Sequence, residues 1–351
     1  MSKISFLKGD GRIMMFKSQI KKISALFLAV TVLTSIASCE GEQKKYESEL
    51  YAMNTVINLT CYGSDATAQV STELNRLESL FSVTRENSDI WRINSSQGCS
   101  IEISDETAEV LNIAEEIYND TDTAFDPSIY PVVRLWGFTT DSFSVPSKAD
   151  IQNALKLVDY SKVKIEGNTV TSPQGAMLDL GGIAKGYAGR ICRDLLKANG
   201  VDAAVLSLGG NVQTVGKNPN GGKWKIALRN PDGGQYLCNI LVDECAVVTS
   251  GGYERYFESD GKRYHHIIDP ATGYPADSEF KSVTVIAQDG AVADALSTAF
   301  YIGGLQLVKE YLSSHSGIEV ILYTNDNELI VSKDISSSLE FNGAIKEAQT
   351  I

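Results

Sequence analysis

Several short stretches of this 351-residue chain combine residue types that can do chemistry. Asp294 and Thr298 stand four apart in residues 291–300, which are otherwise small and apolar. On a helix that spacing puts a carboxylate and a hydroxyl on one face, roughly 6 Å apart. Oxygen donors with no neighbouring Cys or His suit a hard cation, Mg²⁺ or Ca²⁺, better than zinc. The same spacing also suits a buried carboxylate bonded to backbone and a threonine bonding back into its own helix, and spacing alone leaves both readings open.

A second stretch, Asp179-Leu180-Gly181-Gly182-Ile183-Ala184-Lys185-Gly186, runs a glycine pair into a helix start. Glycines let a ligand approach the backbone, a helix N-terminus offers unpaired N–H groups to an anion, and Lys185 adds a point charge. It is not a Walker loop, because G-x-x-x-x-G-K-[ST] is absent; a tight turn with a solvated lysine is the plainer alternative. In His265-His266-Ile267-Ile268-Asp269-Pro270-Ala271-Thr272-Gly273-Tyr274-Pro275, His266 is a candidate base, although a capped turn with ordinary histidines has the same composition. Thr123-Ala124-Phe125-Asp126-Pro127-Ser128 places an Asp before Pro, which is often structural. Thr249-Ser250-Gly251-Gly252-Tyr253-Glu254-Arg255 crowds glycine, aromatic and charged groups together.

The elements that must position these groups follow from periodicity. Residues 51–62 alternate as a strand, and Val70, Leu74, Leu77 and Phe81 share one helix face. Helices are expected over 105–119 with Ser104 as N-cap, over 148–158 behind Ser147, over 184–199, and over 292–302 and 305–313. Strands are expected over 201–208, 224–228, 282–287 and 318–323. Glycine turns join the strands without regular βα alternation, so the fold class is α+β.

Together and in this order the stretches resemble the ApbE family, the FAD:protein FMN transferases. The resemblance runs from Met53-Asn54-Thr55 through Phe81-Ser82, Ser88-Asp89-Ile90, the stretch around Asp126, residues 179–188, Gly209-Gly210-Asn211, Thr249-Ser250-Gly251 and residues 266–275 to the Asp294 helix. It implies a T-fold-related architecture of mixed or antiparallel sheets flanked by helices. It implies Mg²⁺ held by Asp294, Thr298 and the carbonyl of Gly182, with FAD, as substrate, touching Met53, Ala124, Phe125, Asp126, Asp179, Lys185 and Ile268. His266 and Asp294 are the implied catalytic residues. The implied acceptors are flavin-carrying subunits of ion-pumping respiratory complexes and extracytosolic FMN-binding domains. Two departures stand out: Asn54 follows Met53 where the family usually has glycine, and Thr84 stands where many members stack a tyrosine on the flavin. Close to this reading lie an FAD pyrophosphatase, in which water replaces the protein hydroxyl, and a non-catalytic FAD-binding lipoprotein.

Residues 1–38 hold six Lys or Arg against one Asp, so the rest carries a net charge of −18, against −13 for the whole chain. Such an acidic surface excludes nucleic acid as a partner. Lys17, Lys21 and Lys22 precede an apolar run over residues 23–33, too short to span a bilayer and suited to a signal peptide. Ile36-Ala37-Ser38-Cys39 then reads as a lipoprotein processing site, with Cys39 the lipidated first residue. The expected organisation is a signal peptide over 1–38, a tether over 39–50 and a catalytic domain over 51–345, with a division into two α+β subdomains near 170–175 as an alternative to a single domain. The expected location is the extracytoplasmic (periplasmic) side of a bacterial membrane. Cys61, Cys99, Cys192, Cys238 and Cys245 show no C-x-x-C and suggest neither a disulfide framework nor a zinc site.

Overall fold

A computed structural model describes residues 43–140, 142–341 and 343–351. The leader and Cys39 lie outside the described residues. Lys45–Ile351 is one compact unit, within which residues 170–175 lie at a three-stranded sheet formed by Ile101–Glu102, Lys164–Glu166 and Thr169–Thr171.

The main sheet has nine strands whose spatial order follows the chain: β1 (Lys45–Ala52), β2 (Thr55–Tyr62), β3 (Ala203–Leu208), β4 (Asn211–Gly216), β5 (Ala246–Ser250), β6 (Phe280–Ala287), β7 (Ile318–Thr324), β8 (Leu329–Val331) and β9 (Gln349–Thr350). Neighbours are antiparallel except the parallel last pair. The helices are α1 (Thr67–Phe81), α2 (Asp89–Asn94), α3 (Asp105–Asp120), α4 (Tyr130–Trp136), α5 (Lys148–Leu155), α6 (Ala184–Ala198) and α7 (Gly290–Ser314). This is the expected α+β class.

The central strands are buried on both faces, which is why residues 283–287 and 320–323 read as nearly continuous apolar runs. Period two sorts them. Val248, Val283, Val285, Val320 and Leu322 join the core beneath α6 and α7. Val247, Ile286, Ile321 and Tyr323 face the opposite core, under a small sheet of Trp224–Ala227, Asn239–Val242 and Leu339–Glu340. A third cluster gathers α4, α5 and the hairpin Tyr256–Ser259/Lys262–His265 around the fully buried Trp136. The Trp136 indole donates to Gly273 O at 2.9 Å, fastening that lobe to the Asp269–Tyr274 turn.

Three expectations change. The strand expected over 51–62 is a hairpin, because Met53 and Asn54 turn the chain between paired Ala52 and Thr55, both with positive φ (52° and 58°). A two-residue turn of that kind favours Asn or Gly, so Asn54 keeps the turn a glycine would make. Met53 bears the strain, and its side chain packs on the main core. The tether does not reach residue 50: β1 starts at Lys45 and reads as polar because, as an edge strand, it leaves alternate residues exposed. The helix behind Ser147 stops at Leu155, where tighter backbone bonds from Leu157 to Ala154 and Val158 to Leu155 end it.

Two helices meet where neither has a side chain. A Cβ at Gly186 would stand 1.9 Å from Gly290 O, and one at Gly290 would stand 2.3 Å from Gly186 O. Arg190 braces the crossing, pairing with Asp289 at 2.9 Å and with Glu109 at 2.5 Å. Gly186→Ala is expected to force α6 and α7 apart and cost about 2 kcal/mol or more, read as a lower midpoint in urea unfolding; an unchanged midpoint refutes the contact.

Candidate active site

Tight turns and strand ends converge at one end of the sheet: the Met53–Asn54 turn, the Gly209–Gly210 turn between β3 and β4, and the C-terminal end of β5. With the start of α6 and one face of α7 they line a cleft of about 860 Å³, in the upper part of the range for small-molecule sites. All eleven residues assigned from the sequence to metal, FAD or catalysis line it, from Met53, Ala124, Phe125 and Asp126 to His266, Ile268, Asp294 and Thr298. Cys39, assigned to the lipid, is outside the described residues.

The Asp179–Gly182 turn is held from three sides. The Asn94 amide clamps Leu178, donating to its carbonyl at 2.9 Å and accepting its N–H at 2.6 Å. The Asp179 N–H donates to Pro127 O at 2.8 Å, and its carboxylate accepts the Gly181 N–H at 2.8 Å. A Cβ at Gly182 would crowd its neighbours, standing 3.0 Å from the Phe125 ring and 3.4 Å from Thr298 Oγ1. Burial raises the Asp179 carboxyl above its usual range, against the Gly181 N–H and the charges of Arg255 and Lys185.

Asp294 is the buried, backbone-bonded carboxylate of one of the two readings its spacing left open. It is buried, and one carboxylate oxygen, Oδ2, accepts the Gly186 N–H at 2.8 Å. That N–H lies in the first turn of α6, whose N-cap Ile183 gives no side-chain bond, so Asp294 caps the helix from across the crossing. Removing a carboxylate from water costs several kcal/mol, whereas one charged hydrogen bond returns about 1.5–3. Thr298 does not bond back into its helix; Ser297 does, to Asp294 O at 2.9 Å. Thr298 Oγ1 lies 3.4 Å from Ser250 Oγ instead.

Among the described residues no group of three or more His, Cys, Asp or Glu forms a metal cluster. One carboxylate, one hydroxyl and a backbone carbonyl fit Mg²⁺, which binds through one or two carboxylates, waters and a substrate's phosphates. They do not fit zinc.

Asp126 turns out to order its own loop. Its Oδ1 accepts the Ser128 N–H and hydroxyl at 2.7 and 2.6 Å, and burial raises its carboxyl. His266 Nδ1 lies 3.1 Å from Arg255 O. A carbonyl can only accept, so Nδ1 carries the proton and Nε2 keeps a lone pair. Burial, with the charges of Arg255 and Lys185 adding, pushes the imidazole down to about 3.

Thr84 does not line the cleft. Its aromatic walls are Phe125, Phe138 and Tyr253, the last with Arg229 5.3 Å over its ring. Sequence reasoning passed over Arg229 and assigned no role to Asn211, Ser250 or Glu254, which also line the cleft. The Gly209-Gly210-Asn211 and Arg229-Asn230-Pro231-Asp232-Gly233 turns were the available signals.

A family model described as the ApbE family matches residues 53–322. The chain is 34% identical over 300 residues to a FAD:protein FMN transferase of Klebsiella pneumoniae, covering 83% of this chain and 93% of that protein. It is 31% identical over 334 residues to one from Treponema pallidum, covering 87% and 92%. Among solved structures it is similar to the ApbE protein of Thermotoga maritima, with TM-score 0.76 and 33% identity over 82% of this chain and 96% of that one. The flavin transferase ApbE from Vibrio cholerae superposes with TM-score 0.74 and 26% identity, covering 82% and 96%.

The chain has three histidines, so their ring signals can be separated by NMR. A folded pKa of about 3 lies below the ordinary value near 6.5. Between these values the unfolded chain binds the extra proton, so the His266 contribution to stability is present above pH 6.5 and lost as pH falls toward 3. His266→Gln is expected to flatten the acid loss of stability between pH 7 and 5, and the wild-type ring to stay neutral at pH 5. A ring titrating near 6.5 contradicts this.

Proposed function

The chain belongs to the ApbE family, and from that premise we propose that it is a Mg²⁺-dependent FAD:protein FMN transferase. It is a transferase of the α+β ApbE fold. The reaction we infer moves the FMN half of FAD onto a threonine or serine hydroxyl of an extracytoplasmic or membrane protein. The hydroxyl oxygen bonds to the phosphorus of the FMN half, and the bond from that phosphorus to the bridging oxygen breaks. AMP leaves with the bridging oxygen and its electron pair, and the hydroxyl proton passes to solvent. The observation that carries this reading is the meeting of Asp294, Thr298, Gly182 and Lys185 at one cleft with the residues assigned to FAD.

The residues divide the work by charge. Lys185, whose ammonium lies 3.5 Å from Gly181 O, holds the diphosphate beside the Gly181–Gly182 turn. Asp294, Thr298 and the Gly182 carbonyl would hold Mg²⁺, which when bound neutralises charge developing on the departing phosphate. Phe125 walls the turn, and Met53 presents its side chain from the strained hairpin tip. His266 Nε2 is an acceptor for the incoming hydroxyl; its low basicity makes it an orienting group rather than a base that keeps the proton.

We also infer that the protein is exported and lipid-anchored at Cys39, from the leader alone. Cys39→Ser should move it from the membrane to the soluble fraction; a variant still in membranes refutes the anchor.

The function is tested by incubating residues 40–351 with FAD, Mg²⁺ and an extracytosolic FMN-binding domain. Transfer predicts AMP release with an acceptor gain of one FMN. AMP and free FMN without that gain indicate hydrolysis, and intact bound FAD defeats both enzyme readings. In the same assay Asp294→Asn keeps an oxygen for the Gly186 N–H but lacks the charge. It should stay folded and lose about a hundredfold or more in turnover; full activity would overturn the metal assignment.

A further inference from the structure

The residues assigned to FAD leave part of the cleft unexplained. That part is lined by Asn211 at the start of β4, Glu254, and the end of the strand Trp224–Ala227. Each has unused hydrogen-bonding capacity.

Asn211 is 4% exposed, yet among the described residues its Nδ2 has no hydrogen-bond partner. An unsatisfied buried amide is disfavoured, so natural sites keep one where a ligand completes it. The Glu254 carboxylate borders the same turn: a Cβ at Gly210 would stand 3.0 Å from its Oε1. It senses the charges of Lys185 and Arg229 but is hydrogen-bonded to neither. A carboxylate with unused acceptors repels a diphosphate, so this corner is not shaped for the phosphates of FAD.

Trp224–Ala227 is an edge strand. It pairs with Asn239–Val242 on one side, and among the described residues no strand covers the other. Leu228, just beyond it, bonds back through both its N–H and its C=O, to Cys238 O at 2.9 Å and from the Leu237 N–H at 2.8 Å. Antiparallel alternation therefore turns the N–H and C=O of Ala227 to the open side, and Ala227 is exposed where it lines the cleft. The strand is fixed at its far end by the Trp224 indole, which donates to Gly216 O at 2.8 Å. A rigid free edge of this kind recruits an extended peptide.

We propose that this edge receives the hydroxyl-bearing segment of the flavin acceptor as an added strand, with Asn211 Nδ2 donating to one of its backbone carbonyls and Glu254 accepting one of its N–H groups. A peptide group offers one acceptor and one donor, matching the unused pair. The segment then enters beside Lys185 and Asp294, where its hydroxyl meets the diphosphate. The inference rests on the transferase reading and assigns the acceptor a place within it.

The test uses residues 40–351, FAD, Mg²⁺ and an extracytosolic FMN-binding domain with a single acceptor threonine. Asn211→Ala and Ala227→Pro, which deletes the edge N–H, are compared with wild type for FAD affinity by fluorescence quenching and for acceptor KM. Each variant should raise acceptor KM about tenfold, the worth of one hydrogen bond, with FAD affinity within about twofold of wild type. Retained FAD affinity also shows that the variants fold. Weakened FAD binding with an unchanged acceptor KM would make Asn211 an FAD ligand and overturn the proposal, as would two unchanged constants. A wild-type chain that transfers no FMN overturns the transferase reading itself, and this inference with it.

Discussion

The site depends on the bare contact between Gly186 and Gly290. Where the backbones of α6 and α7 touch, the first turn of one helix comes within hydrogen-bond distance of Asp294 on the other. The contact also brings Thr298 beside Gly182. A methyl group at either glycine would wedge the helices and withdraw Asp294 from the α6 N-terminus it caps. One close approach thus stabilises the crossing, satisfies an orphan N–H and points a carboxylate at the cleft.

That arrangement explains how an acidic chain handles an anionic substrate. The net charge is negative, but Lys185, Arg229 and Arg255 all line the cleft. Burial, with Arg255 and Lys185 adding, holds His266 neutral, and both cations act on Asp179. Desolvation raises the Asp179 and Glu254 carboxyls, and these cations oppose it. The local field, not the net charge, decides what enters.

Much of the frame was legible in the residues. Val70, Leu74, Leu77 and Phe81 are the buried face of α1, and Ser104 and Ser147 cap α3 and α5 as their types suggest. The apolar character of α7 followed from burial among the sheet, α3 and α6. The Met53–Asn54 hairpin was missed because its turn lacks a glycine, and β1 because an edge strand shows solvent half its residues. Asn211 and Glu254 lie in glycine-rich stretches that stand out in the sequence, but their roles do not, since an unpaired amide is visible only once its surroundings exclude every partner.

The sequence by itself determined the α+β class, the helix faces, the family and the residue types that could hold a hard cation and a diphosphate. Periodicity and residue chemistry act over a few positions, so they survive without a fold. The tertiary structure decided that Asp294 is cap and candidate ligand at once, that Asp126 orders its own loop, and that Thr84 stands away from the cleft. Each depends on groups far apart in the chain: Gly186 and Asp294 are separated by 108 positions, and only packing brings one to the other.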